Sequence, residues 1–124
     1  MFKDEAVVGN FVCEMYCAKK SPFWLSPSYE TNVIRVDPYW WAFNSGAPQD
    51  LYDNYWNKLL EIPGARLHWG KYQPEPGQKC GNVVYDVKYL KSVYPKLEEW
   101  LQLRAKYDPK NVFVTEYWQK MFEL

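Results

Sequence analysis

Most of the signals that would sort this chain by composition alone are missing. It carries no net charge, because fifteen Lys and Arg balance fifteen Asp and Glu. Without a basic excess, neither a nucleic-acid polyanion nor an anionic membrane surface is favoured as a partner. No apolar run approaches bilayer-spanning length, and Met1-Phe2-Lys3-Asp4-Glu5 lacks the apolar stretch of a secretion signal, so a soluble, cytoplasmic chain is expected. Cysteine is sparse and odd in number, at positions 13, 17 and 80. Four residues of extended chain would hold the α-carbons of Cys13 and Cys17 roughly 13 Å apart, too far for a disulfide. All three cysteines are therefore expected as buried reduced thiols. A single histidine, His68, with no CxxC or HxxxH spacing nearby, argues against a metal site built from Cys13, Cys17 and His68.

What the chain does have is rings. Seven Trp, eleven Tyr and six Phe in 124 residues are many, while Leu, Ile and Val are only moderately represented. Such side chains need large surfaces to cover them, which suggests a domain packed against another domain or a large flat ligand. An apolar content of 48% argues for one folded domain over residues 1–124 and against disorder.

Taken in order, residues 6–17 read as a strand, with Phe11, Cys13, Met15 and Cys17 on a core-facing parity and Glu14 and Tyr16 together on the other. Residues 19–31 read as a loop whose Phe23-Trp24-Leu25 trio suggests that it folds back over something. Residues 32–37 read as a second strand that Pro38 ends or bends; if the chain stays extended there, Asp37 and Tyr39 share a face. A stripe of Leu51, Tyr52, Tyr55, Trp56, Leu59 and Leu60 predicts a helix over 49–62, stopped by Pro63-Gly64. Residues 63–71 read as a third strand and 72–81 as a polar loop. Helices are expected over 86–93 and 96–107, the latter with Leu97, Trp100, Leu101 and Leu103 inward. Val112-Phe113-Val114 reads as extended, and Thr115 is placed to cap a last helix through Trp118, Met121 and Phe122. The layout is α+β, a small antiparallel sheet with helices packed on one face.

The stretch Arg66-Leu67-His68-Trp69-Gly70-Lys71 concentrates the chemistry, bringing an imidazole, an indole and an ammonium beside a glycine. Histidine titrates near neutrality and lysine is a mobile point charge, so the pair suits proton transfer or the holding of an oxyanion. The plainer alternative is a satisfied core histidine beside a tryptophan.

Four blocks, Phe23-Trp24-Leu25-Ser26-Pro27-Ser28-Tyr29, Arg66-Leu67-His68-Trp69-Gly70-Lys71, Val93-Tyr94-Pro95-Lys96-Leu97-Glu98-Glu99-Trp100 and Arg104-Ala105-Lys106-Tyr107-Asp108-Pro109-Lys110-Asn111-Val112-Phe113, stand in order. Together they resemble the C-terminal region of FAD-linked sugar oxidases, the D-arabinono-1,4-lactone, gulonolactone and alditol oxidases. The resemblance implies the substrate cap of a flavoprotein whose FAD sits in a flavin-binding domain, supplied in cis or in trans, that this chain does not contain. It implies that His68 and Lys71 face the flavin and a polyhydroxy substrate, with Glu14 as a further catalytic group. Tyr16, Asp37, Tyr39 and Trp69 are then the expected substrate contacts. Tyr16 stands where the alditol oxidases carry an arginine, and Asp37 where they carry a histidine, which leaves the substrate open. Membrane association of a complete enzyme is also left open. The competing expectation is a non-catalytic, aromatic-rich module that binds carbohydrate or completes a partner.

Overall fold

A computed structural model of the chain describes residues 11–124. Strand β1 (Phe11–Ala18) and strand β2 (Val33–Trp40) form an antiparallel ribbon whose register runs from Phe11↔Trp40 to Ala18↔Val33. The loop between them closes through Ser21 and Tyr29. Helix α1 (Gln49–Leu59) follows, burying Leu51 and Trp56. A second, shorter ribbon pairs β3 (Gln78–Cys80) with β4 (Val83–Tyr85). Its turn requires glycine on two counts. Gly81 has φ +59, and a β-carbon there would lie 2.6 Å from Glu61 Oε1 and 2.7 Å from the Asn57 carbonyl. That close approach seats the second ribbon on the end of α1.

Three helices complete the body: α2 (Val87–Val93), α3 (Leu97–Tyr107) and α4 (Glu116–Phe122). Asp86 starts α2 by accepting the Tyr89 N–H at 2.9 Å. Glu98 and Glu99 in the first turn of α3, and Arg104 and Lys106 in its last, both suit the helix dipole. Leu60, Cys80, Tyr85, Leu90, Tyr94, Leu97 and Met121 meet in one core between α1, the second ribbon and the three later helices. Among the described residues no helix is long and apolar enough to cross a membrane.

The fold is α+β, with the sheet divided into two separate ribbons. Other expectations need correcting. Residues 63–71 form no strand; they run as turns and irregular chain. Strand pairing appears instead within 72–81, where β3 lies and where Gln73 and Pro74 are buried. Residues 6–10 of the first expected strand lie outside the described residues. Neither face of β1 is a core face, and Cys13 and Cys17 are exposed; only Cys80 is buried. Among the described residues, α1 meets β1 near its start, with Tyr55 against Phe11 at 6.4 Å and hydrogen-bonded to Cys13. β2 does not stop at Pro38, so Asp37 and Tyr39 do share a face. Leu103 is exposed on α3, and Val112-Phe113 forms a turn, because both of their N–H groups reach back to the Asp108 carboxylate at 2.8 and 3.0 Å. Thr115 occupies the N-cap position of α4 but makes no side-chain cap bond.

Candidate functional site

The stretch around His68 has no ladder to hold it, so side chains take over that task. The Tyr89 hydroxyl donates to the Ala65 carbonyl at 2.7 Å, Tyr94 to that of Leu67 at 3.4 Å, and Tyr117 to that of Pro74 at 2.7 Å. Gln73 Nε2 donates to the His68 carbonyl at 2.8 Å. Burial pushes all three phenols above their ordinary value, Tyr89 to about 12, so each is a permanent donor at neutral pH. Arg66 anchors the other side. Its Nε donates to the Val93 carbonyl at 2.7 Å, and its Nη1 reaches the carbonyls of Pro27 at 3.3 Å and Tyr29 at 3.2 Å. The guanidinium also lies over the Tyr94 ring, 4.9 Å from its centre. The 19–31 loop thus does fold back, onto the His68 stretch.

His68 and Trp69 go to opposite sides. Trp69 Nε1 donates to the Leu25 carbonyl at 2.6 Å, and its ring packs against Tyr94 and Trp118 at 4.8 and 5.2 Å. It lines a second, apolar cleft with Trp100, Trp118 and Phe122. His68 and Lys71 instead line a cavity of about 270 Å³ together with Asp37, Tyr39 and Pro38 of β2 and Tyr55 and Leu59 of α1. The Gly70 N–H donates to His68 Nδ1 at 3.1 Å. With Nδ1 used as an acceptor, the neutral ring carries its proton on Nε2 and presents a donor there.

The ribbon supplies the acids. Period two and the antiparallel register place Glu14, Tyr16, Asp37 and Tyr39 on one face, with the two carboxylates directly opposite each other. Like charges so placed repel, and each is met by a phenol from the other strand. Tyr39 donates to Glu14 at 3.2 Å and Tyr16 to Asp37 at 3.1 Å. Glu14, as acceptor and then as charge, holds the Tyr39 phenol above its ordinary value. Arg35 sits 5.7 Å from the centre of the Tyr16 ring.

Four of the residues singled out from sequence therefore share one cavity: His68, Lys71, Asp37 and Tyr39. Glu14 and Tyr16 reach it only through their phenol–carboxylate bonds, and Trp69 does not reach it. The wall from α1 escaped the sequence reading, which used Tyr55 and Leu59 only as part of a helical stripe. That stripe is real, but it faces two things, the core at Leu51 and Leu60 and the cavity at Tyr55 and Leu59, with Trp56 touching both. Burial, with help from a hydrogen bond to Cys13, pushes the Tyr55 phenol up to about 12.

Comparison with known proteins adds the identity of the scaffold. L-gulonolactone oxidases of Bos taurus and Mus musculus are each 24% identical to the chain over 121 residues, and that of Scyliorhinus torazame is 23% identical. Each alignment covers 94% of this chain and 24% of the relative, so the chain spans about a quarter of the length of the relatives it matches. No solved structure gives a significant match. The D-arabinono-1,4-lactone oxidase profile matches residues 1–121, nearly the whole chain and every residue of the cavity wall. The chain belongs to the D-arabinono-1,4-lactone oxidase family and is a sugar-lactone oxidase-like region.

Proposed function

We propose that this site takes part in oxidising a CH–OH group of a sugar lactone or related alditol, in which a bound FAD would accept the hydride and oxygen would take up its two electrons as hydrogen peroxide. The observation that carries the reading is the cavity that gathers an ammonium, an imidazole N–H and a carboxylate, from Lys71, His68 and Asp37, in a chain of the lactone-oxidase family. About 270 Å³ is small beside the roughly 300–1,000 Å³ of drug-sized sites. It suits a sugar-sized substrate and one edge of a flavin ring, with the rest of the flavin held by a flavin-binding domain in cis or in trans. His68 and Lys71 fit such an edge, since a donor and a cation both favour electron-rich ring atoms. When bound, FAD supplies the hydride acceptor.

The chain's own residues then divide the remaining work. As the O–H bond breaks, Lys71 and His68 Nε2–H stabilise charge on the oxygen, and the Asp37 carboxylate takes the proton while C=O forms. Tyr16 steadies Asp37, Glu14 steadies Tyr39, and Trp69 supports His68 from the core side. The family match does not favour the non-catalytic carbohydrate-binding alternative.

The test is to isolate the protein with whatever polypeptide carries flavin and mix it anaerobically with L-gulono-1,4-lactone, D-arabinono-1,4-lactone and xylitol. Bleaching of the flavin by one of them is the expected result. His68→Ala or Lys71→Met should slow it roughly 100-fold or more, as loss of one preorganised donor does, with flavin retained. A colourless protein, or a flavin that no polyol reduces, overturns the reading.

A further inference from the structure

Beneath His68 lies a buried pair that the proposed chemistry does not use. Gln73 is 9% exposed and Tyr85 1% exposed. The Tyr85 hydroxyl donates to Gln73 Oε1 at 2.7 Å, and Gln73 Nε2 donates to the His68 carbonyl at 2.8 Å. Burial holds the Tyr85 phenol far above its ordinary value, so it stays a donor across the physiological range. A carbonyl can only accept, and Tyr85 O–H needs an acceptor, so one amide orientation satisfies both partners. The His68 carbonyl also accepts the Lys71 N–H at 3.1 Å, closing the turn in which the Gly70 N–H meets His68 Nδ1. Phenol, amide, carbonyl, turn and ring thus form one unbroken series.

We propose that Gln73 and Tyr85 are positioning residues for His68: by clamping the 68–71 turn they keep Nδ1 engaged with Gly70 and leave Nε2 as the donor in the cavity. The neighbouring tyrosines differ. Tyr89 holds the same stretch at Ala65, outside the turn, and sets no part of the ring's hydrogen bonding. The significance of the positioning rests on the oxidase reading of His68, but its test does not.

His68 is the only histidine, so the ring nitrogens of the ¹⁵N-labelled chain give a single set of long-range ¹H–¹⁵N signals. In the unaltered chain these should report Nε2–H with Nδ1 accepting, and a protected Gly70 amide. Gln73→Met removes both bonds at similar volume, and Tyr85→Phe frees the amide to turn. Either should speed Gly70 amide exchange at least about fivefold, the equivalent of about 1 kcal/mol for one lost hydrogen bond, and convert the ring signals to a tautomer mixture. Tyr89→Phe, which deletes a comparable hydroxyl, should change neither. Should Gln73→Met fail to fold, Tyr85→Phe decides, because it removes only the hydroxyl that fixes the amide's orientation. Unchanged ring signals and Gly70 exchange in folded Gln73 or Tyr85 variants overturn the proposal, as does an equal change in Tyr89→Phe. Altered signals in a protein that oxidises no polyol would leave the positioning intact and remove only the oxidase reading.

Discussion

The β1–β2 ribbon and the stretch around His68 make opposite bargains with the rest of the molecule. The ribbon has the longest regular ladder, yet it exposes apolar side chains on both faces, Met15 and Ile34 on one, each more than 70% exposed, and Val12 and Tyr39 on the other. The His68 stretch has no ladder at all, yet the carbonyls of Ala65, Leu67, His68 and Pro74 each accept from a side chain packed beneath them. A ladder satisfies backbone groups but does not locate an element, whereas buried partners do both. The cavity takes one wall from each region, so its His68–Lys71 side is held by packed side-chain donors and its acidic side rests on a lightly packed ribbon.

Alkali should separate the two regions most sharply. Burial raises the phenols of Tyr85, Tyr89, Tyr94 and Tyr117, with Tyr89 at about 12 against an ordinary 10.0. A raised phenol stabilises the fold in its protonated form. That contribution is whole below pH 10 and is lost as pH rises through the folded value, so the body should unfold cooperatively above about pH 10–12. On the ribbon, Tyr39 is raised by its hydrogen bond to Glu14 and then by the Glu14 charge, so added salt should lower its value in part and leave the buried phenols unmoved. A spectrophotometric phenol titration at two ionic strengths, followed alongside circular dichroism, reads both; buried phenols that ionise near pH 10 in the folded chain would break the comparison.

Next in size is Arg66→Ala. It strips donors from the carbonyls of Val93, Pro27 and Tyr29 at once and should cost about 2–4 kcal/mol in urea unfolding, with Arg66→Lys recovering less than half. A loss below about 1 kcal/mol would mean that the tyrosines alone hold the stretch. The smallest effect belongs to the ribbon: Ile34→Ala, at 72% exposure, should stay within about 0.5 kcal/mol. A larger loss would show that the ribbon is packed in solution in a way these contacts do not include.

Local rules read well where a single residue decides the outcome. The turn at Gly64 is present and the 3.6-residue stripe of α1 is visible in Leu51, Tyr52, Tyr55 and Trp56, although the helix expected to run to 62 already ends at Leu59. The acid–phenol spacing on each strand was also legible, because period two puts Glu14 with Tyr16 and Asp37 with Tyr39 whatever the register. That Tyr39 meets Glu14, and Tyr16 meets Asp37, depended on pairing between residues more than twenty positions apart. Alternation of apolar residues misled at 63–71 and in β1 for the same reason: period two marks a strand only when a partner edge and a face to bury against are present. The His68 stretch found tyrosines instead of an edge, and β1 found an edge but almost no face.

By itself, then, the sequence determined the class of the fold, the stretches that become helices, and which side chains carry acid, phenol, imidazole and ammonium, all of which follow from near-neighbour sterics and periodicity. Only the tertiary structure decided that His68 turns to the cavity while Trp69 turns to the core, that Nδ1 is spent on Gly70, and that Gln73, Tyr85 and Arg66 carry the stretch. Apart from the local bond between Gly70 and Nδ1, those outcomes rest on hydrogen bonds between buried or half-buried groups distant in sequence, whose partners are set by how the elements pack and by the cost of leaving any of them unpaired.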